Sequence, residues 1–429
     1  MPSSRLPTAV VALQHRNFRL LWLGQLISAT GSTMQTAAIL WQVSLLAPQA
    51  YKGLALGAVG LVKVAPIVIF SLISGVVADA LDRRKLMLLT QTGMTLVAAA
   101  LAVLTFNGLK LLWPVYALAA VSAAFGTFDS PARQSLIPNL VPEEHYPNAI
   151  SLNSVMMQTA SVLGPSLAGI VLAALGVGWA YAFNAVSFLA VIAGLLLMRG
   201  VPVRSADQRP EIGLKSALEG LRYVFAAPLI RSTMLLDFFA TFFSSAIMLL
   251  PIFAQDILRV GPRGYGWLYA APALGGMLAG LALVRWAQQI DRRGQVLLVA
   301  VFIYGLATVF FGASRSFWLT FLCLVATGAA DAVSAVLRNI IRQLSTPDHL
   351  RGRMVSVNMI FFMGGPQLGE LEAGLVANWL GAPISVISGG LACLLVTLWV
   401  GWKTPALRHY RQDRALPPAE KSQPATAGS

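Results

Sequence analysis

Apolar residues run along the chain in twelve long blocks separated by short polar and basic stretches. The blocks fall at 18–46, 53–78, 86–106, 112–131, 149–175, 179–199, 229–257, 265–290, 295–313, 316–337, 353–379 and 383–402. At about 1.5 Å per residue, roughly twenty helical residues cross a hydrocarbon layer of ~30 Å. The pattern therefore predicts twelve transmembrane helices and an all-α membrane protein. The first block is too long for the core of a secretion signal, and no A-x-A site follows it, so no cleavable signal is expected.

The longest interruption, 200–228, divides the blocks into two sets of six. It opens on a polar run, Pro202 to Pro210. Leu214, Leu218, Leu221 and Phe225 then recur at helical spacing, with Lys215, Glu219 and Arg222 elsewhere on the wheel. That spacing predicts an amphipathic helix lying on the membrane surface. The expected organisation is a tail at 1–17, a six-helix half at 18–199, the linker 200–228, a second half at 229–403 and a disordered tail at 404–429.

The two halves read as a degenerate repeat. Asp82-Arg83-Arg84 after the second block matches Asp291-Arg292-Arg293 after the eighth. The segment ending at Asp129 matches the one ending at Asp331, and LGPSLAGIV (163–171) matches LGELEAGLV (368–376). Parallel six-helix repeats related by an axis along the membrane normal are one architecture of secondary transporters.

Composition agrees with lipid as the solvent. Hydrophobic residues make up 57% of the chain and charged ones 11%, where a soluble domain carries about 25% charged. The formal net charge of +14 would suggest nucleic acid in a soluble protein. Here twenty-five of the 31 Lys and Arg residues fall on one side of the predicted topology and five on the other, with Lys63 inside a block. Basic loops stay in the cytoplasm, so both termini are expected there, in the inner membrane of a bacterium, and no nucleic-acid partner is expected. Cys323 and Cys393 lie in apolar blocks and read as small buried hydrophobes. His15, His145, His349 and His409 are scattered, with no metal-ligand spacing. Nothing suggests an enzyme, a metal or a cofactor.

The motifs carry a family resemblance. The opening NFRLLWLGQLISATGSTMQTAAI, the loop GVVADALDRRK (75–85), the connection DSPARQSLIPNLVPEEHYPNAISLNS (129–154) and LGPSLAG (163–169) resemble the major facilitator superfamily. Within it they resemble the branch of bacterial exporters that includes enterobactin-type siderophore exporters and macrolide efflux proteins. The resemblance implies the two-half major facilitator fold, alternating access, a monomer embedded in lipid, and efflux of an amphipathic drug or siderophore driven by the proton gradient. Import or facilitated passage of a metabolite is the alternative on the same fold. The LGPSLAG run is similar to the core of the antiporter motif, whose preceding glycines are absent here.

The candidate residues follow. Gly75 and Asp79, one turn apart, with Arg83, Arg84 and Lys85 behind them, match the family loop motif. The resemblance implies a conformational lock against the eleventh helix near Met354, and the basic cluster is expected to reach lipid and nearby carboxylates. Asp129 and Arg133 are spaced to pair along a helix, and Asp331 with Arg338 occupies the matching place in the second half; a moving charge network and a static helix cap both fit. Lys63, Asp237, Glu370 and Glu372 lie deep within blocks, where an ionisable group needs a partner or a wet cavity. They are the candidates for proton coupling or substrate contact, and Glu370 and Glu372 must point to different faces. Gly164-Pro165 and Gly364-Gly365-Pro366 interrupt the fifth and eleventh blocks, as either moving or merely tolerated kinks. Phe238, Phe239, Phe242, Phe243, Phe361 and Phe362 either line a greasy cavity or pack.

The topology carries a prediction. A C-terminal alkaline-phosphatase fusion is expected to be inactive and a C-terminal green fluorescent fusion bright; the reverse pair of results would place the termini outside.

Overall fold

The computed structural model describes residues 8–200, 222, 225, 227–243, 246–286 and 289–411, with the backbone alone at 8, 9, 246 and at several positions within 72–80 and 348–364. Among the described residues the chain forms twelve long helices and no strand. The first half holds α1 (Arg16–Leu46), α2 (Lys52–Ala80), α3 (Arg83–Phe106), α4 (Trp113–Leu136), α5 (Tyr146–Ala174) and α6 (Val177–Leu197). The second holds α7 (Pro228–Phe243), α8 (Gly261–Trp286), α9 (Arg293–Ala313), α10 (Phe317–Leu344), α11 (Asp348–Leu380) and α12 (Ala382–Lys403). The near face is the one where α1 starts and α12 ends; the far face is opposite.

Nine of these segments are apolar and long enough to cross a membrane on composition alone. The others are α1, α4 and α11, and their polar residues have work inside the bundle. On α1, Gln35 accepts from Asn184 of α6 at 2.7 Å, and Gln42 accepts from Tyr181 at 2.6 Å while donating to Thr105 of α3 at 3.0 Å. A buried amide in lipid has no water to fall back on, so such bonds fix the helix that makes them.

The repeat is visible in the turns. Gly176 before α6 and Gly381 before α12 have φ of 91° and 90°. Both sit at the far-face turn between the last two helices of a half, in a region costly for any residue with a Cβ. At the near face the halves differ. Asp82 caps α3, its carboxylate accepting from the amides of Arg84 at 2.9 Å and Lys85 at 3.3 Å. The matching α9 starts one residue later in the repeat, so Asp291 misses the cap and Arg292 occupies it without a side-chain bond.

Two expectations change. The seventh block is not one helix. After α7 the chain runs through a 3-10 turn at Ala246–Leu249, a short α-turn at Leu250–Ile252 and a π-helical turn at Phe253–Ile257. In addition, α4 runs five residues and α10 seven residues past their predicted ends of 131 and 337. Arg338 and Arg342 therefore lie on α10, both 3% exposed, rather than in a loop. Helix can continue there because ion pairs replace water, as described below. The predicted linker helix lies outside the described residues except at Arg222 and Phe225, which are helical.

The halves meet along two seams, α2 against α11 and α5 against α8. Gly53 and Gly57 bring α2 onto Gly374 of α11, where an added Cβ at Gly53 would come within 2.9 Å of the Gly374 carbonyl oxygen. Gly169 and Gly266 do the same for α5 and α8, a Cβ on Gly266 falling 2.6 Å from the Pro165 carbonyl oxygen. Such stripes of small residues let helix backbones approach in lipid, where no hydrophobic force drives association.

The seam makes a prediction. With Ala37→Cys under Tyr265, labelling by an impermeant maleimide from the far face should be slow. Adding Gly266→Leu should raise the rate several-fold; an unchanged rate would mean that the α5–α8 contact does not close that face.

Candidate functional site

A cavity of about 310 Å³ lies where the halves meet, walled by Thr33 and Thr36 of α1, Ser161 and Pro165 of α5, and Tyr269 and Pro272 of α8. That is the size of a small-ligand site. A second, more enclosed space of about 90 Å³ reaches Tyr304, Thr308 and Asp331 inside the second half. Ile247 and Pro272 border both, so the two adjoin.

Hydrogen bonds between the halves are confined to the far face and the middle of the bundle among the described residues. Lys52, the first residue of α2, donates to Asp256 and to Gln255, each at 2.9 Å. Gln255 in turn donates to Ser44 of α1 at 2.7 Å. Tyr265 donates to the Ala37 carbonyl at 2.9 Å, and Gln158 of α5 to the Ala273 carbonyl at 2.6 Å near mid-depth. The π-helical turn presents Gln255 and Asp256 side by side. Extra residues in such a turn re-aim side chains and are frequent at functional sites. The far face is thus latched, and no hydrogen bond among the described residues joins the halves on the near side. Sequence reasoning puts Lys52 in a loop and does not single out Asp256; 203 residues separate Lys52 from Gln255, and the irregular turn leaves no periodic signal.

Lys63 and Glu370 sit on the two sides of the α2–α11 seam. Lys63 is the twelfth residue of α2, about 17 Å from the far end of that helix. The Glu370 carboxylate lies against Gly60, one turn before Lys63, and the two charges interact across the seam. Tyr269 lines the cavity wall on α8. Glu372 is half-buried on another face of α11.

Asp237 is not a lone buried carboxylate, as its position in the sequence suggests. Arg338 reaches it at 3.0 Å and Arg342 at 3.4 Å. Arg338 also bridges to Asp331 at 3.4 Å. Two aspartates from α7 and α10 thus share two guanidiniums of α10. Asp237, Arg338 and Arg342 are buried while Asp331 is exposed; removing one of the three buried partners typically costs about 3–5 kcal/mol, because a charge is left uncompensated. Asp237 is thus held by two arginines within the second half, whereas Glu370 lies in a seam between the halves.

The Asp129–Arg133 couple is corrected. Asp129, 5% exposed, accepts from Thr90 at 3.0 Å and Gln91 at 2.9 Å on α3. Arg133 donates to Gln25 of α1 at 2.8 Å. Each residue finds a closer partner on a neighbouring helix than along its own. Two residues of the basic cluster donate to backbone carbonyls. Arg83 donates to the Ser135 carbonyl at 2.9 Å and Arg84 to the Leu196 carbonyl at 3.2 Å. These carbonyls end α4 and α6, where the last turn has no amide of its own to use. The side chains of Gly75 and Asp79 lie outside the described residues, as do those of Gly364, Phe361 and Phe362.

Gly164 packs on Thr30 and Thr33 of α1, and the Thr33 hydroxyl lies 2.8 Å from the Ala160 carbonyl, one turn before the Gly164-Pro165 step. Pro165 faces the cavity. Gly365, beside Pro366, meets Thr241 and Phe238 of α7. Phe238 stacks on Phe242 and Phe239 on Phe243 at 5.8 and 6.0 Å between ring centroids, so these aromatics pack as a ladder. His15 and His145, far apart in sequence, come within 2.8 Å at the near face. Burial, then the neighbouring His145, holds His15 below the ordinary histidine range.

Two six-helix halves around a central cavity, latched on one face, define a transporter of the alternating-access type. A profile of the transmembrane secretion effector family matches residues 7–422, and the chain belongs to that family. It is 26% identical over 399 residues, 93% of this chain and 94% of the relative, to the enterobactin exporter EntS of Escherichia coli strain K12, and equally to that of strain O127:H6. Solved structures share the fold. A bacterial homologue of the human lysosomal transporter Spinster in an inward-facing, occupied conformation has a TM-score of 0.70 at 14% identity, covering 91% of this chain and 97% of its own. A bacterial homologue of the iron transporter ferroportin in its inward-facing state has 0.64 at 16%, covering 90% and 98%.

The latch is open to a charge-swap test. Lys52→Asp and Asp256→Lys should each speed far-face labelling of Ala37→Cys, and together should restore slow labelling, with a coupling of about 1–2 kcal/mol. Failure of the double variant to restore it would remove this pair from the latch.

Proposed function

We propose that the chain is a proton-driven exporter of an amphipathic small molecule of the catecholate siderophore class, resting with its cavity open to the cytoplasm. The basic asymmetry puts the near face inside. Relatives that span almost the same length export enterobactin by name, which supports both the direction and the substrate class. The observation that carries the coupling is the place of Glu370, a carboxylate in the moving α2–α11 seam against Gly60 and beside Lys63.

In this reading the seam parts when the far face opens, and Glu370 meets water and takes a proton from outside. A neutral carboxyl re-enters the seam without the desolvation cost that an ionised one carries. With the seam closed, the neutral Glu370 carboxyl releases its proton to water of the cytoplasmic cavity, and the Lys63 cation stabilises the carboxylate that remains. The same cation attracts an acidic catecholate. Each ligand thus favours one of two conformations, which is what a gradient needs to drive a cycle. Asp237 and Asp331, bound to Arg338 and Arg342, act in this scheme as fixed counter-ions that hold α7 to α10.

The test uses cells lacking other pumps and loaded with a catecholate siderophore. Wild type should extrude it until a protonophore is added. Glu370→Gln should lose uphill efflux at normal abundance, keep downhill exchange and show little further response to the protonophore. Uphill, protonophore-sensitive pumping by Glu370→Gln would overturn the assignment of the coupling site.

A further inference from the structure

A third cavity, of about 390 Å³, lies on the outer wall of the second half, between α9 and α12 near the near face. Leu298 and Phe302 form one side, Leu398 and Trp402 the other, with Gly401 at its base and Arg408 at its end. Leu398 is 59% and Trp402 75% exposed. On a lipid-facing wall such a cleft is filled by whatever the bilayer offers.

The chain after α12 builds the charged end of this cleft. It turns back as a short helix, Pro405–Arg408, and buries Leu407 completely in the core formed with Leu297, Val301 and Val400. The Leu407 carbonyl closes onto Gly294, and the Gly294 amide donates to the Tyr410 carbonyl at 3.2 Å. The anchor fixes the position of the next residue, Arg408. The Arg408 side chain is exposed and has no hydrogen bond or ion pair among the described residues. Arg292 before α9 and Lys403 at the end of α12 are also exposed, as is the acid Asp291. A cation on an anchored backbone at the mouth of an apolar cleft matches an anion joined to a hydrocarbon chain.

We propose that this cleft is a binding site for one anionic glycerophospholipid of the near-face leaflet, an acyl chain lying along Leu298 and Phe302 and the phosphate on Arg408. The absence of a side chain at Gly401 keeps the cleft open, since a Cβ there would come within 3.4 Å of Leu298.

Native mass spectrometry of the delipidated, detergent-purified full chain tests this, with phosphatidylglycerol and phosphatidylcholine of identical chains as probes. Wild type should hold one phosphatidylglycerol at least several-fold more tightly than phosphatidylcholine. Arg408→Gln should abolish the preference, and Arg408→Lys should keep most of it. Gly401→Leu should weaken both lipids by filling the cleft. Equal binding of the two headgroups by wild type, or an unchanged preference in Arg408→Gln, would overturn the proposal. So would glycerol phosphate competing as well as the whole lipid, or a second protein copy on this wall whose formation depends on Gly401.

Discussion

An ionised side chain in hydrocarbon is tolerated only when another group takes over from water, and most of this architecture follows from that. Several charges that fall within helices are handed to a neighbour across a helix boundary: Asp237 to Arg338 and Arg342, Lys52 to Asp256, Arg133 to Gln25. These contacts tie specific pairs of helices, so satisfying the charges also fixes which helices belong together. α7 is held to α10 within one half, and the opening of α2 is held to the turn after α7 between halves. The first kind has no reason to break in a transport cycle. The second must break whenever the far face opens.

The two halves descend from one pattern but have solved the charge problem differently. Asp129 and Asp331 occupy matching places, yet Asp129 is satisfied by a threonine and a glutamine while Asp331 shares an arginine. A carboxylate held by neutral donors keeps its neighbours when helices shift slightly, since hydrogen bonds adjust locally. One that shares an arginine with a second carboxylate is coupled to that partner's helix. Asymmetry of this sort leaves the first half a compact block tied by α1, whose glutamines reach α3 and α6. The second half carries the ion network, the broken helix and the enclosed space beside Asp331.

The sequence was legible where one dimension carries the signal. Twelve apolar blocks became twelve helices, because length and composition alone set a span. The Gly and Pro interruptions fell at helix contacts for the same local reason. What it did not carry were partners. The rule that moves basic residues into loops misassigned Arg338 and Arg342, since nothing local announces Asp237 on another helix. Helical spacing suggested that Asp129 and Arg133 pair, and tertiary neighbours outbid it. The Lys52–Asp256 latch depends on a π-helical turn, which has no periodicity to detect. Glu370 was visible as a buried acid, but its contact with Gly60 required the α2–α11 seam.

The seams and the latch divide the labour of closure in a way that suits a cycle. Glycine-lined helix contacts gain dispersion energy over short distances and lose it as soon as they part. Closing on glycine alone would make the closed state weakly specified, because small residues slide. The Lys52 cluster supplies register: a lysine with two acceptors, one of which also reaches Ser44, has few alternative positions. It lies at the water interface, with Asp256 37% exposed, so both charges regain solvent when the latch opens and the cost stays small. Glu370 is placed differently. It lies about 15 Å from the far end of its helix, inside the same seam but beyond the latch, so its access to water changes only when the helices themselves separate. A group there reports the state of the whole interface, which neither the latch at the surface nor the ion network inside the second half is positioned to do.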